Sequence, residues 1–466
     1  MTQPIPVSGS QMIIGLVIGI AVFIFLILRT KIHPFLALII AASLTGIIGG
    51  MNPPDVVKSI TNGFGSTLSS IGIVIGFGVM MGRILEVSGA AEKMAHTFLK
   101  LFGKNHEEWA MALTGYVVSI PIFCDSGFVI LSPIAKALSK TTKKSVVTIG
   151  VALAIGLVAT HHAVPPTPGP LGVAGIFNVD IGVMILWGLV FVLPITIIGV
   201  LYAQWLGKRI YQLPMADGIG WTRNKEEIDN IIINETEDAA TAESRSMPSA
   251  FSSFAPIVVP IILILLNTVL SALKLQSGLV SYVIFFGNPV IAVGIGLIIA
   301  IYTLVPELDR KQVNKLMEEG VASAGIIILI TGAGGALGQV LRDSGAGNYI
   351  AELIASTSLP PILLPFIVAT LVRLIQGSGT VAMITSASIT APILANMNVN
   401  PVFAAQAAAL GAMVFSYFND SYFWVVNRLL GIEDVKEQIM AWSIPTTLGW
   451  LTSLIMLLLV NAIFGG

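Results

Sequence analysis

The feature that most limits the folds open to this chain is an internal duplication in which both copies are apolar. The segment that begins at His33-Pro34-Phe35 returns at Asn288-Pro289-Val290, an offset of 255 positions (289 − 34). The segment Met81–Ala90 likewise returns as Leu337–Ala346, with the second-position glycine and the Ser-Gly-Ala ending kept. Duplicated apolar chains with interrupted helices are typical of secondary transporters.

The composition places the chain in a lipid bilayer. Hydrophobic residues make up 55% of the sequence and charged residues 11%, whereas soluble domains carry about 25% charged residues. A net charge of −1 argues against a nucleic-acid partner. The single cysteine, Cys124, can form neither a disulfide framework nor a cysteine-based metal site. We therefore expect a membrane protein without a cofactor or a structural metal.

Hydropathy predicts the same order of apolar runs in both halves of the chain. In the first half the runs are residues 12–28, 34–50, 67–85, 109–137, 146–164 and 181–206. In the second half they are residues 256–273, 282–304, 322–341, 362–394, 402–418 and 441–463. The intervening stretch is polar and rich in Asp and Glu. This pattern divides the chain into a first repeat (1–206), a linker (207–253) and a second repeat (254–466).

The distribution of Lys and Arg indicates that run 109–137 does not cross the membrane. The basic loops are residues 29–31, 136–144, 208–225 and 310–315, and basic loops collect on the cytoplasmic side. They share one side only if run 109–137 turns back on itself. Each arm of such a hairpin has about 12 residues and a length of roughly 18 Å, too short for a ~30 Å hydrocarbon core.

A re-entrant hairpin in the first half leaves an odd number of crossings, so the second half must be inverted. Its own hairpin, residues 362–394, then enters from the opposite face. The predicted fold is an all-α polytopic membrane protein with two inverted repeats, about ten transmembrane helices and two re-entrant hairpins. The predicted location is the cell inner membrane, multi-pass, with the linker in the cytoplasm.

The hairpin tips are predicted at Pro121–Gly127 and Gln376–Thr380. Irregular backbone at membrane depth is tolerated only where it is buried in protein or lines a water-filled cavity. Each returning helix would start with free N–H groups and the positive end of its dipole, which suits a carboxylate. The hydroxyls of Ser126, Ser378 and Thr380 could bind the same anion. The alternative interpretation is that these Gly-Ser turns only permit close helix packing.

Two interrupted spans, residues 160–170 and 415–424, occupy equivalent places in the repeats. The first has four prolines in six residues, which stop a helix and free backbone carbonyls. Ionisable residues here and at the tips cost on the order of 2.5 to 3.5 kcal/mol to insert, so they are functional candidates. Asp125, Asp420 and one histidine of the 161–162 pair qualify, with Arg373 as a countercharge. A structural role is the alternative, and for the histidines the preferred one.

These stretches resemble the gluconate permease family of proton symporters, over nearly the whole chain except the linker. The resemblance rests on Pro121–Phe128 with Asp125 at the acidic position, on His161 followed by Pro165-Pro166, on Gln376–Ala382, and on Asn419-Asp420-Ser421. Two positions depart from the family pattern. Cys124 replaces a common phenylalanine, and Thr167 stands where many members have a second histidine. Both departures bear on the choice of substrate.

The resemblance implies proton-coupled import of a small anion by alternating access, with a homodimer possible. We expect gluconate, a related sugar acid or a smaller 2-hydroxy acid as substrate. The predicted substrate-binding residues are Asp125, Ser126, Gly127, His161, Thr167, Gln376, Ser378, Gly379, Thr380, Asn419 and Ser421. The predicted proton-coupling residues are Asp125, Asp420 and His161.

Several alternatives stay open at this point. The protein could be a sodium-coupled carboxylate transporter, or a proton symporter for D-serine or another small hydroxy-carboxylate. A membrane enzyme with His161 and His162 as metal ligands is disfavoured, because neighbouring helical residues point about 100° apart and no His-Glu-x-x-His pattern exists. A channel is disfavoured by the two occluding tips. The chain is therefore predicted to be a transporter and not an enzyme.

Overall fold

The structure is a computed structural model that describes residues 9–30, 32–103, 105–215, 220–223, 247–273, 278–345, 360–417 and 420–465. Most of the predicted linker lies outside these ranges. The described part of the chain is almost wholly helical, which confirms the predicted all-α class. Its strands are β1 (Leu213–Pro214) and β2 (Trp221–Thr222), which pair antiparallel.

The helices follow the predicted apolar runs closely. Those of the first half are α1 (Gly9–Phe25, continued by a π-helical turn over Leu26–Thr30), α2 (Pro34–Ile48), α3 (Pro53–Val87), α4 (Ala90–Phe102), α5 (Glu107–Val118), α6 (Cys124–Thr142), α7 (Val146–Ala163), α8 (Pro168–Phe177) and α9 (Ile181–Arg209). Those of the second half are α10 (Ala250–Ala272), α11 (Leu279–Phe286), α12 (Pro289–Leu304), α13 (Arg310–Asp343), α14 (Leu363–Gln376), α15 (Gly379–Leu394), α16 (Pro401–Gly411), α17 (Ser421–Leu429), α18 (Val435–Gln438, continued by a π-helical turn over Ile439–Ser443) and α19 (Ile444–Phe464).

The duplication is visible in the positions at which helices begin. α6 and α15 start 255 residues apart (379 − 124), as do α7 and α16 (401 − 146). α9 and α18 start 254 residues apart (435 − 181). The equivalent helices α3 and α13 pack along each other, so each half contributes one long helix to a shared central pair.

Helices α3 and α13 run antiparallel. At one end Arg83 Nη2 lies 2.9 Å from Glu319 Oε2, and at the other end Ser59 Oγ donates to Asp343 Oδ2 (2.6 Å). Because residue numbers rise along α3 while those of its contacts fall along α13, the two helices point in opposite directions. This is the relation that inverted repeats require, although the orientation of either half across a bilayer remains a prediction.

Each run predicted as a re-entrant hairpin is divided into two helices, while its re-entrance into the membrane stays a prediction. α5 and α6 are joined by residues 119–123, and α14 and α15 by Gly377-Ser378 alone. Gly377 has a φ of 88°, which only glycine adopts without strain and which lets the chain reverse in two residues. The first tip is shorter than predicted: Asp125, Ser126 and Gly127 lie within the first turn of α6, whose Gly127 N–H bonds the Phe123 carbonyl (2.9 Å).

A cluster of charges holds the base of the first hairpin. Lys144 Nζ lies 2.8 Å from Glu107 Oε2 and 2.6 Å from Glu108 Oε2, both of which are buried. Burial opposes ionisation of Glu107, but hydrogen bonds from Lys144 and from backbone N–H groups outweigh it and lower the pKa of this carboxyl below its ordinary value. The two ends of the hairpin are thereby fixed together.

The structure differs from the predicted spans in three places. Run 282–304 is two helices, α11 and α12, bent by 68° at Gly287-Asn288, because Pro289 starts a new helix. Helix α3 extends well before residue 67, and residues 168–177 form the short helix α8 after the proline-rich break. By length and apolarity four helices of the described chain could span a membrane, or up to six with the bent pairs counted as single spans. The count of ten stays a prediction.

Two glycines of α3, Gly63 against α13 and Gly65 facing open space, give a matched test of how tightly the pair packs. A Cβ on Gly63 would overlap the Gly335 carbonyl oxygen, whereas a Cβ on Gly65 would meet nothing within 4 Å. We expect Gly63→Ala to cost about 1–3 kcal/mol of stability through overpacking. Gly65→Ala should be neutral or gain up to ~1 kcal/mol in helix propensity. Thermal unfolding of the detergent-solubilised protein measures both, and equal effects would show that the helices are not in close contact.

Candidate functional site

The two hairpin tips meet at one cavity of about 330 Å³. It is lined by Cys124, Asp125, Val158, His161, His162, Arg373, Gly377, Ser378, Gly379, Thr380, Asp420, Ser421 and Tyr422. Residues 124–125 come from the first tip and residues 377–380 from the second. The interrupted spans contribute the histidines and the Asp420–Tyr422 segment. We call this space the tip cavity.

Three helices begin at the tip cavity. α6 starts at Cys124, α15 at Gly379 and α17 at Ser421. The Oγ of Ser378 accepts from Val381 N (3.4 Å) and Asp420 Oδ1 accepts from Tyr422 N (3.2 Å), so two of these helices have side-chain N-caps. Phe123, the N-cap of α6, provides none. Converging N-termini present N–H groups and positive dipole ends, which favour a bound anion.

A buried ion pair lies in the wall of the tip cavity. Arg373 Nη2 donates to Asp420 Oδ2 at 2.6 Å, and Arg373 is only 4% exposed. The hydroxyl of Ser416 donates to the same carboxylate oxygen. Together with the bond from Tyr422 N, Asp420 accepts hydrogen bonds at both oxygens. The other terminal nitrogen of Arg373, Nη1, is buried and has no hydrogen-bond partner.

The ion pair is positioned by residues beyond the tip cavity. Trp442 Nε1 donates to Ser416 Oγ (2.9 Å), and Ser416 N donates to Thr446 Oγ1 (3.1 Å). Trp442 and Ser416 are buried, so neither has water as a competing partner. The start of α19 and the π-helical turn before it therefore fix Ser416, which in turn orients Asp420.

Asp125 links the two halves of the chain. The hydroxyl of Ser421 donates to its Oδ1 (3.2 Å), and the Cys124 thiol lies 3.6 Å from its Oδ2. Unlike Asp420, Asp125 pairs with no Lys or Arg in the described chain. It also lines a second cavity of about 500 Å³, together with Ser126 and the ion-paired residues Arg83 and Glu319. Asp125 is thus shared by two cavities.

The adjacent histidines contact different hairpin tips. The His161 ring packs against Phe123 of the first tip, with ring centroids 5.6 Å apart. The His162 ring packs against Gly379 of the second tip, so closely that a Cβ there would overlap its Nε2. This division follows from helix geometry, since neighbours on α7 point about 100° apart. Within the described residues no group of three or more His, Cys, Asp and Glu side chains is arranged to hold a metal ion.

Five predicted site residues lie outside the tip cavity or are not described. Gly127 packs against Leu157, and a Cβ would crowd that side chain at 2.8 Å. The Thr167 hydroxyl donates to the Val164 carbonyl (2.7 Å), one of the acceptors that the prolines leave free. The side chain of Gln376 and the whole of Asn419 lie outside the described residues. The other predicted residues line the tip cavity, except Ser126, which lines the second cavity.

Sequence reasoning did not assign Tyr422, Val158 or a binding role for His162, all of which line the tip cavity. Val158, His161 and His162 have the i, i+3, i+4 spacing of one helix face, and this spacing could have shown that they act together. Tyr422 carries no comparable signal. Its ring packs edge-on against Trp442 (4.9 Å), a contact between segments that only the fold brings together.

Comparison with known proteins identifies the sequence relatives of the chain. A family model described as GntP family permease matches residues 11–463. An uncharacterised permease of Haemophilus influenzae is 55% identical over 97% of this chain and 93% of its own length. A gluconate permease of Pseudomonas aeruginosa is 33% identical over 97% of this chain and 98% of its own length. The D-serine transporter DsdX of Escherichia coli is 33% identical over 89% of this chain and 91% of its own length.

A solved structure shares the fold. The Neisseria gonorrhoeae protein MtrF, described among antimetabolite efflux pumps, aligns with a TM-score of 0.67 over 95% of this chain and 97% of its own. At 14% identity this likeness concerns the fold alone. The two chains therefore share their arrangement of helices.

The Arg373–Asp420 pair generates a prediction about stability. Asp420→Asn keeps a good helix N-cap but leaves the buried guanidinium without its counter-ion, at a cost of about 3–5 kcal/mol. We expect the double variant Arg373→Met/Asp420→Asn to recover much of this loss, because no unpaired charge remains. The measurement is thermal unfolding in detergent of wild type, both single variants and the double variant. Additive losses would contradict a direct pair.

Proposed function

Because this chain belongs to the GntP permease family, we propose that it imports gluconate or a related sugar-acid or 2-hydroxy-acid anion together with a proton. Family membership makes the chain a multi-pass membrane permease and not an enzyme, so both predictions are confirmed. The substrate, the coupling ion and the direction are our proposal. The observation that carries it is the tip cavity, where both hairpins and the buried ion pair meet.

The tip cavity suits a small carboxylate. Its volume of about 330 Å³ lies at the lower end of the range for ligand pockets, ~300–1,000 Å³. Three helix N-termini and the Arg373 guanidinium face it, and hydroxyls of Thr380 and Ser421 line it. A carboxylate can bind the cationic and N–H groups while the hydroxyls of the substrate meet those of the protein.

Asp125 is the proposed proton carrier. Asp420 is held by Arg373, Ser416 and a backbone N–H, so its charge is already compensated. Asp125 has a single hydroxyl donor and a nearby thiol, and it adjoins a second cavity through which a proton could reach it. Asp420 would then anchor Arg373, and the predicted proton-coupling role of His161 would be secondary.

Charge balance gives a reason for coupling. With Asp125 ionised, the tip cavity holds two carboxylates and one guanidinium, a net charge of −1 with neutral histidines. Two like charges at a separation of ~4 Å repel by about 4 kcal/mol at an effective dielectric constant of ~20, and by less at larger separations. Protonation of Asp125 removes this repulsion and should therefore strengthen anion binding. The anion and the proton therefore bind better together than apart.

Alternating access would move the tips relative to the central pair of α3 and α13. We propose that the repeats are inverted across the bilayer, with the linker in the cytoplasm; the antiparallel α3 and α13 support this arrangement. A monoanion that moves with one proton carries no net charge. The pH gradient alone would drive it, at ~1.36 kcal/mol per pH unit. A homodimer remains a prediction of the family resemblance.

Uptake into proteoliposomes tests the proposed function. Radiolabelled gluconate would be offered under an inward proton gradient without sodium, and again under a sodium gradient without a pH difference. We expect accumulation only in the first condition, abolished by an uncoupler. Unlabelled idonate, other sugar acids, 2-hydroxy acids and D-serine as competitors would rank the substrates. Accumulation driven only by sodium would replace the proton by sodium in the mechanism.

Asp125→Asn separates coupling from binding. The amide mimics the protonated carboxyl, so this variant should still exchange gluconate across the membrane when no gradient is imposed. It should fail to accumulate gluconate under a gradient of one pH unit, a loss of about 10-fold, because one coupled proton supplies ~1.36 kcal/mol under that gradient. Asp55→Asn, at an exposed position outside the tip cavity, is the matched control. Full gradient-driven accumulation by Asp125→Asn would exclude Asp125 as the carrier.

A further inference from the structure

Among the described residues, the buried side-chain nitrogen atoms without a hydrogen-bond partner all belong to residues that line the tip cavity. They are Arg373 Nη1, His162 Nε2 and His161 Nδ1, on residues that are 4%, 4% and 7% exposed. Buried polar groups are nearly always paired, so an unpaired group in a native structure calls for an explanation. A ligand that supplies the missing partners is one such explanation.

Arg373 offers its free nitrogen in a fixed direction. The guanidinium is planar, and its Nη2 is held 2.6 Å from Asp420 Oδ2. Nη1 therefore cannot rotate away without breaking the buried ion pair. Because arginine has donors and no acceptor, the partner of Nη1 must be an acceptor. A carboxylate oxygen is the acceptor that a guanidinium binds best.

His162 offers the opposite kind of group. Its Nδ1 lies 2.9 Å from the Val158 carbonyl, which can only accept, so this nitrogen carries the proton. In the neutral ring Nε2 is then an acceptor. Gly379 lets Nε2 lie against the second tip, where any larger residue would displace it. The missing partner of Nε2 is therefore a hydrogen-bond donor.

We propose that Arg373 and His162 recognise carboxylates that carry a hydrogen-bond donor on the neighbouring carbon. Arg373 Nη1 binds the carboxylate, and His162 Nε2 accepts a hydrogen from a hydroxyl or an ammonium group at C2. This inference rests on the proposed function and adds a rule for substrate selection. The rule covers 2-hydroxy and 2-amino acids alike, which are chemically distinct but present the same acceptor-donor pair.

The rule also states what the site rejects. An acid without a substituent at C2 leaves Nε2 unpaired, and a 2-oxo acid places an acceptor against it. A site built around a hydrogen bond discriminates strongly against analogues that cannot make it, because its buried polar group is then left without a partner. No residue of the site is proposed to bond a hydroxyl at C3, so loss of that hydroxyl should weaken binding much less.

Exchange without a gradient tests the rule independently of coupling. Proteoliposomes are loaded with unlabelled gluconate at equal pH on both sides, with an uncoupler present, and exchange of radiolabelled gluconate is measured. The competitors are 2-deoxygluconate, 3-deoxygluconate and gluconamide. We expect 2-deoxygluconate and gluconamide to compete roughly 10- to 100-fold more weakly than gluconate. We expect 3-deoxygluconate to compete within a few-fold of gluconate.

Variants assign the effect to His162. In His162→Phe the ring remains and the acceptor is lost, so the variant should no longer distinguish 2-deoxygluconate from 3-deoxygluconate. His106→Gln, at an exposed position that does not line the tip cavity, is the control and should distinguish them as the wild type does. A general structural fault would lower exchange without changing this ratio. If His162→Phe does not fold, the competitor series on the wild type still decides the rule.

The possible results separate the rule from the function on which it rests. If the wild type exchanges gluconate and 2-deoxygluconate competes as well as 3-deoxygluconate, the rule is wrong and the transporter proposal stands. If the wild type exchanges neither gluconate nor any labelled sugar acid, 2-hydroxy acid or D-serine of the uptake panel, the proposed function is wrong and the rule falls with it. If discrimination at C2 persists in His162→Phe, another residue accepts the hydrogen bond and the assignment to His162 is wrong.

Discussion

The site depends on one buried ion pair, Arg373 with Asp420. An arginine at membrane depth is costly unless its charge is compensated, and here the compensating carboxylate lies 2.6 Å away. The same carboxylate caps α17 and accepts a hydrogen bond from the Ser416 hydroxyl. Helices α14, α17 and the π-helical turn before α19 therefore meet at one pair of charges. The pair engages Nη2 of the guanidinium and leaves Nη1 without a hydrogen-bond partner.

The duplicated halves contribute different chemistry from equivalent positions. Thr167 and Asp420 are both N-caps, of α8 and α17, in corresponding interrupted spans. Thr167 turns its hydroxyl to a backbone carbonyl, whereas Asp420 carries the charge that holds Arg373. The first half provides instead Asp125 and the histidines. Repetition of the backbone has thus produced one cavity with two dissimilar walls, joined by the Ser421–Asp125 hydrogen bond.

Much of this arrangement was predictable from the sequence, because charged residues are costly in an apolar chain and their positions are therefore informative. The turn within run 109–137 was predicted from the sidedness of the basic loops and the turn within run 362–394 from the repeat. Asp125, His161 and Asp420 stood out as ionisable residues in apolar runs. The direction of Thr167 could not be predicted, since it depends on which carbonyls the Pro165–Pro170 break leaves free. The bend at Gly287-Asn288 was missed because both flanking helices are apolar, so hydropathy merges them. The pairing of His162 with Gly379 required the fold, because it joins residues over two hundred positions apart.

Cys124 gives the chain a natural reporter. It is the only sulfhydryl group in the sequence, it is buried, and it begins α6 beside Asp125. Any rearrangement that opens the first tip must change the solvent access of this thiol. Its rate of alkylation by a thiol-selective reagent therefore reports the state of one tip without an introduced label. A cysteine at this position thus makes the first tip of this chain observable.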